Sequence, residues 1–120
     1  MVDAKELGKR GEKIAEDELV KKGYKILSKN FIFDHKEVDS VCEFNGQIIF
    51  VEVKTRTSPY LSDPSLLIPI KKQRQIIKVA DYYMKEFYPD KEAIFDVIIV
   101  ITNSEYTRHE HIVEAFYPMC

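Results

Sequence analysis

The chain has few of the residues that mark special classes of protein. Its 120 residues include four glycines, five prolines and two cysteines. This composition excludes fibrous and disordered chains, and Cys42 and Cys120 form neither a disulfide framework nor a metal-knuckle pattern. No stretch approaches the roughly 20 apolar residues that span a bilayer. We therefore expect one globular domain over residues 1 to 120, located in the cytoplasm and not in a membrane.

A surplus of positive charge is also missing. The net charge is −2, so only local patches can indicate binding to nucleic acid. The stretches "KTR" and "KKQRQIIK" supply such patches, and the second opens a predicted helix where acids are usually preferred, which favours a phosphate partner. A solvated helix face is the alternative explanation. The candidate cations are Lys54, Arg56, Lys71, Lys72, Arg74 and Lys78.

Hydrophobic periodicity predicts the order α-β-β-β-α-β with a further strand at the end. The predicted helices cover residues 4–22 and 70–87, and the strands cover residues 24–33, 37–44, 47–54, 93–102 and 109–113. Asp3 and Glu6 resemble a capping box, and Gly8 and Gly11 indicate that another backbone approaches the first helix. The stretch "TRTSPYLSDPSLLIP" is predicted to be a long loop, and such loops are often functional.

The most informative stretch is "EVDSVCEFNGQIIFVEVKT", in which Asn45-Gly46 predicts a two-residue hairpin turn. That turn places Asp39 opposite Glu52, and Glu37 opposite Lys54. Strand alternation then puts these four side chains on one face, with Val38, Val51 and Val53 on the other face.

Two opposed carboxylates repel each other and destabilise a strand pair. A divalent cation removes the repulsion, because Mg²⁺ prefers carboxylate oxygens and water. The alternative is a solvated edge on which Lys54 neutralises the acids. The surrounding valines favour the metal, since unneutralised acids are costly in a sheet that is covered on both sides.

Asp39 followed by "EVK" at residues 52 to 54 resembles the signature of the PD-(D/E)xK nuclease superfamily, whose core is an αβββαβ arrangement. The stretches "GKRGEKIAEDELVKKGYKILSKNF", "EVDSV", "FVEVKTR", "FDVIIV" and "HEHIVEAF" together resemble the YraN family of uncharacterised endonuclease-like proteins over nearly the whole chain. The resemblance implies a restriction-endonuclease-like α/β fold, with a central mixed sheet flanked by helices.

By this resemblance the chain is expected to be a nuclease that uses Mg²⁺ or Mn²⁺ to hydrolyse phosphodiester bonds in DNA, including branched or damaged structures. Asp39, Glu52 and Glu12 correspond to the acids that bind metal, the carbonyl of Val53 is a further ligand candidate, and Lys54 corresponds to the catalytic lysine. Glu12 also borders the apolar face of the first helix, from which it can lean over the hairpin. A homodimer is an expectation from fold analogy alone.

Other readings stay open from the sequence. A nucleic-acid-binding or scaffold protein with the same fold and little activity agrees with the acidic net charge. A small-molecule phosphatase is disfavoured, because the chain has no glycine-rich loop of the kind that binds phosphate. His109 and His111 lie on one strand face without a third zinc ligand. Asp96 is either a buried structural acid or a neighbour of the site, and the aromatic residues 82, 83, 87 and 88 are expected to pack between helix and sheet.

Overall fold

A computed structural model describes residues 3–58 and 68–118. The elements are α1 (Ala4–Lys21), β1 (Lys25–Phe33), β2 (Lys36–Phe44), β3 (Gln47–Arg56), α2 (Ile70–Phe87), β4 (Ala93–Thr102) and β5 (Thr107–Phe116). The predicted αβββαβ order is confirmed, and the final strand is longer than the predicted five residues. Pro59, Pro64 and Cys120, which entered the predictions for the long loop and the thiols, lie outside the described residues.

Local signals explain where the helices begin and end. The carboxylate of Asp3 accepts a hydrogen bond from the amide of Glu6 at 2.8 Å, as expected for an N-cap. Gly23, with a φ of 94°, follows the C-cap of α1 in the left-handed region that glycine tolerates. Pro69 precedes α2 without a side-chain cap, and no acid lies in the first turn of that helix. Neither helix is long and apolar enough to cross a bilayer.

The five strands form one mixed sheet in the order β1-β2-β3-β4-β5. All neighbours are antiparallel except β3 and β4, which run parallel because α2 connects them in sequence. The hairpin register is as predicted over five pairs, from Ser40 opposite Val51 to Phe44 opposite Gln47.

Each face of the sheet carries its own apolar core. On one face, Phe50 and Phe95 pack with Ile76 and Val79 of α2. On the other face, the core contains Leu19 of α1, Ile49, Val51, Ile98 and Val100. Because both faces are covered, any acid in the central strands must find a partner or lie at an opening in the sheet.

The aromatic side chains of α2 pack as expected against this sheet. Tyr82 stacks on Phe33 with a centroid distance of 4.1 Å, and Tyr83 meets Phe50 edge to face at 5.6 Å. These contacts leave helix packing, not base stacking, as the observed role of these two rings.

The two glycines inside α1 differ in their surroundings. A Cβ at Gly11 would lie 2.8 Å from the Cβ of Thr55 on β3, whereas a Cβ at Gly8 would meet nothing within 4 Å. The predicted close approach is therefore right for Gly11, although the neighbour is a side chain and not a backbone, and it is wrong for Gly8. Gly11 allows α1 to lie directly on the strand that carries Glu52 and Lys54.

We expect Gly11→Ala to destabilise the protein by about 1–3 kcal/mol, because the new methyl group overpacks against Thr55. Gly8→Ala is the matched control: it adds the same methyl group to the same helix in open space and should stabilise the protein by about 0.5–1 kcal/mol. Urea unfolding of both variants measures the difference. Equal effects in the two variants would contradict the close packing of α1 on β3.

Candidate active site

The candidate acids lie where β2 and β3 part. Regular pairing ends at Ser40 and Val51, and Asp39 and Glu52 are the next residues beyond that pair. Here a side chain replaces the strand partner, since the Asp39 carboxylate accepts a hydrogen bond from the amide of Val53 at 2.7 Å. The hairpin therefore brings Asp39 beside Glu52, as its turn predicts.

The predicted distribution of side chains over the two faces is wrong at this point. Val38 and Val41 lie in the same core on the α2 side, although strict alternation would separate them. The alternation breaks on β1 too: Lys29 forms an ion pair with Glu16 of α1, whereas Phe31 contacts Tyr83 of α2.

Asn30 lies at this break, between the pairs that flank Asp39, and its φ of 51° is in the left-handed region. The break turns Asp39 toward α1, while the carboxylate of Glu52 approaches Lys72 of α2 at 3.6 Å. The acids thus reach one another from the two faces through the opening between the strands.

The carboxyl groups of Asp39 and Glu52 form an electrostatically strained pair. Burial, followed by the charge of the Glu52 carboxylate and a hydrogen bond between the two groups, raises the pKa of Asp39 to about 8. The Val53 amide opposes this shift by stabilising the ionised form. Glu52 is 4 % exposed, and its Oε1 has no hydrogen-bond partner among the residues that the structure describes. A buried carboxylate oxygen without a partner is costly, which indicates a place for a cation or a proton.

Glu12 approaches the hairpin from α1 through an intermediate residue. Its Oε1 accepts a hydrogen bond from the side-chain amide of Asn30 at 3.0 Å, and the same amide lies 3.5 Å from Oε1 of Glu37. Sequence reasoning did not identify Asn30 as part of the site. Its signal is present in the sequence, because asparagine is depleted in strand interiors and enriched in the left-handed conformation.

The candidate cations divide into two groups. Lys54 and Arg56 line a cleft that also contains Asp39 and Glu12, and Lys54 has no hydrogen bond or ion pair within residues 3–58 and 68–118. Lys72 contacts Glu52 and donates to the backbone oxygen of Glu37 at 3.2 Å. The structure does not bring the other three to Asp39: Lys71, Arg74 and Lys78 are exposed on α2 and line neither cleft beside it.

Two clefts meet at Asp39 and Glu12. The α1–β1 cleft, of about 680 Å³, lies between α1 and the strands β1 and β2, and the α1–β3 cleft, of about 300 Å³, lies between α1 and β3. Ala4, Gly8, Glu12 and Asp39 line both. Asp39 and Glu12 are therefore accessible from two directions along α1, whereas the buried Glu52 lines neither cleft.

The oxygen atoms at this site are of the kind that bind one divalent cation. Asp39 and Glu52 supply carboxylate oxygens in contact, and one of the Glu52 oxygens lacks a partner in the described chain. No three His, Cys, Asp or Glu side chains of the described ranges are grouped closely enough to hold a metal ion. Water or substrate oxygens would have to complete the coordination, as is usual for Mg²⁺.

A comparison with known proteins gives the family. Residues 11–100 match the model of the uncharacterised protein family UPF0102. The chain belongs to this family. It is similar over 98 % of both chains to UPF0102 proteins of Christiangramia forsetii, at 37 % identity, and of Phocaeicola vulgatus, at 38 %. A UPF0102 protein of Caldanaerobacter subterraneus subsp. tengcongensis is 43 % identical over 96 % of this chain and 98 % of its own. The predicted YraN family membership is confirmed.

In this UPF0102 chain His109, His111 and Asp96, the other polar residues considered from the sequence, lie near the C-terminal end of α1, away from Asp39. His111 contacts the buried Asp96, with 2.7 Å between Nε2 and the carboxylate, and its Nδ1 lies 3.2 Å from Nζ of Lys22. His109 lies 3.2 Å from Glu18. Of the two alternatives for Asp96, the buried structural acid is the one observed. Burial and Asp96 raise the pKa of the Cys42 thiol to about 12, so this cysteine is inert as a nucleophile.

Proposed function

We propose that this chain is a nuclease that uses Mg²⁺ or Mn²⁺ to hydrolyse phosphodiester bonds in DNA, branched or damaged DNA included, in the cytoplasm. The observation that carries the proposal is the contact between the carboxyl groups of Asp39 and Glu52, one of which has a buried oxygen without a partner in the described chain. A purely structural strand pair gains nothing from this arrangement, because it loses stability through burial and repulsion.

The residues that would hold the cation come from two strands and one helix. Asp39 and Glu52 would contribute carboxylate oxygens, Val53 its carbonyl oxygen, and Glu12 a carboxylate that acts directly or through water. When bound, the ion supplies Lewis-acid chemistry, since it polarises a phosphoryl oxygen and lowers the pKa of an attacking water. Without the ion, Lys72 partly neutralises the negative charge of Glu52.

Lys54 and Arg56 would act on the substrate directly. Both line the α1–β3 cleft together with Asp39, so a phosphodiester in that cleft would lie between the cations and the acids. Lys54 would orient the attacking water by a hydrogen bond and offset the charge that develops on the phosphate. Arg56 would hold a neighbouring phosphate, for which its planar guanidinium group is suited.

The test is cleavage of a panel of single-stranded, duplex, flap and four-way-junction DNA in Mg²⁺ or Mn²⁺, combined with calorimetric titration of Mn²⁺. We expect metal-dependent cutting by the wild type. Lys54→Met should reduce cutting by about a hundredfold or more and leave Mn²⁺ binding intact, because it removes a charge that acts on the transition state and not a ligand. Lys85→Met, on the exposed end of α2, is the matched control and should cut like the wild type.

The competing function is that of a scaffold which binds nucleic acid without cutting it. It is favoured by the absence of a group of three potential ligands among the described residues. Wild-type protein that neither cuts any substrate nor binds Mn²⁺ would establish this alternative over the nuclease. Light scattering in the same buffers tests the homodimer that fold analogy suggests.

A further inference from the structure

We propose that one nucleic-acid strand runs through the two joined clefts along the N-terminal half of α1, with its phosphates bound by Lys5 and Lys9. The inference rests on the proposed function and extends it, because it names the path and the strandedness of the substrate. Neither lysine was among the cations singled out from the sequence.

Among the lysines that line the α1–β1 cleft, Lys5 and Lys9 have no acidic partner within the described chain. Both are exposed, and neither has a hydrogen bond or ion pair with another residue of the described chain. The other two lysines that line this cleft are already paired: Lys13 lies 3.0 Å from Asp17, and Lys29 lies 2.9 Å from Glu16. Phosphate oxygens are the partners that two uncommitted lysines beside a candidate nuclease site would meet.

The cations lie on both sides of the acids. Lys5 and Lys9 are one helical turn apart, about 6 Å along α1, which is close to the separation of successive phosphates in an extended strand. They line the α1–β1 cleft, whereas Lys54 and Arg56 line the α1–β3 cleft, and Asp39 lies at the junction. A strand held by both groups would carry one phosphodiester past Asp39.

The floor of the path is open and has no aromatic side chain among the described residues that line it. Ala4 and Gly8 line both clefts, and a Cβ at Gly8 would meet no atom within 4 Å. A space of about 680 Å³ accommodates a short stretch of one strand. Within the described chain these clefts therefore offer no ring on which a base could stack, and contacts of the lysines to phosphates would carry no sequence information.

The experiment measures binding without cutting. Fluorescence anisotropy with a labelled oligothymidylate of about 16 nucleotides, in EDTA and over a range of salt, compares the wild type with Lys5→Gln/Lys9→Gln. We expect the dissociation constant of the double variant to rise roughly tenfold, and the slope of its logarithm against the logarithm of salt to fall by about 1.4, since each phosphate contact on a single strand contributes about 0.7. Lys5→Arg/Lys9→Arg should restore binding.

Two further double variants make the test specific. Lys21→Gln/Lys25→Gln removes the same charge from exposed positions beyond both clefts and should leave the dissociation constant within about twofold of the wild-type value. An equal loss in this control, or a loss confined to Lys71→Gln/Arg74→Gln on α2, would overturn the proposed path.

The strandedness and the chemistry are decided separately. Tighter binding of a blunt duplex than of the single strand, at equal salt, would overturn the single-strand assignment. If Lys5→Gln/Lys9→Gln weakens binding as expected while the wild type cuts no substrate in Mg²⁺ or Mn²⁺, the strand path is supported and the nuclease proposal fails.

Discussion

Asp39→Asn is expected to reduce metal-dependent cleavage by at least about a hundredfold and to stabilise the metal-free protein at pH 8. The first effect is expected because the substitution removes the charge of a proposed metal ligand. The second follows from the pKa of Asp39, which burial and Glu52 raise from 3.8 to about 8. The asparagine keeps an oxygen for the Val53 amide while it removes the buried charge and the repulsion.

The direction of the pH dependence follows from proton binding. Between pH 3.8 and about 8 the folded protein keeps the Asp39 proton that the unfolded chain releases. Stability therefore falls as the pH rises through this window and levels off above it. The free energy of unfolding should therefore fall by a few kcal/mol across this window in EDTA. Addition of Mg²⁺ or Mn²⁺ at pH 8 should restore part of this loss, because binding favours the folded state.

Thermal melts of wild type and Asp39→Asn in EDTA between about pH 5 and pH 8 measure this contribution. Asp90→Asn makes the same chemical change at an exposed position after α2, and it should follow the wild type. Wild-type stability that is the same at both ends of the range would contradict the buried contact between Asp39 and Glu52. Full cleavage activity in Asp39→Asn would exclude Asp39 as a ligand.

Asp96→Ala is expected to cause a large loss of stability. Asp96 is 1 % exposed and accepts hydrogen bonds from the backbone amide of Glu114 at 2.9 Å and from His111. Lysine has only donors, so Nδ1 of His111 accepts from Lys22 and its Nε2–H donates to Asp96. Without the carboxylate, the buried His111 ring and the Glu114 amide both lose their acceptor, at a cost of about 3–5 kcal/mol.

Urea unfolding and thermal melting measure this loss, which corresponds to roughly 10–20 °C in melting temperature. Asp96→Asn keeps an oxygen for one of the two donors and should lose less than half as much. Asp81→Ala, which removes an exposed carboxylate paired with Lys85, should change stability by less than about 0.5 kcal/mol. Similar small losses in all three variants would show that the network around His111 contributes little to stability.

The hairpin shows what a sequence can predict when the controlling interactions are local. Asn45 and Gly46 determine the turn, the turn determines the register, and the register places Asp39 beside Glu52. The αβββαβ order follows in the same way from apolar periodicity and from Pro69 and Gly23 at the helix ends. The family resemblance added Glu12 as an expected metal ligand, which the spacing of residues alone does not give.

Sequence-based prediction fails where contacts between distant segments determine the orientation of a side chain or its partner. The break at Asn30 and Asp39 depends on α1 and α2 covering opposite faces, so strict alternation fails to predict where Val38 points. The contact of Lys72 with Glu52, which lies on another element, could not be predicted from the basic neighbours of Lys72 in the sequence. An asparagine inside a predicted strand signals a break at Asn30, but its hydrogen bond to Glu12 joins residues 18 positions apart, and the local sequence does not identify that partner.

The hydrogen bond from the Val53 amide to Asp39 gives this protein an internal NMR reporter. In a regular ladder that amide would donate to a backbone carbonyl and would be insensitive to chemistry at the site. Because it donates to a carboxylate, its proton resonance depends on whether that oxygen is charged, neutral or shared. One backbone signal thus distinguishes the protonated state of the pair from the ionised state without a label on any side chain.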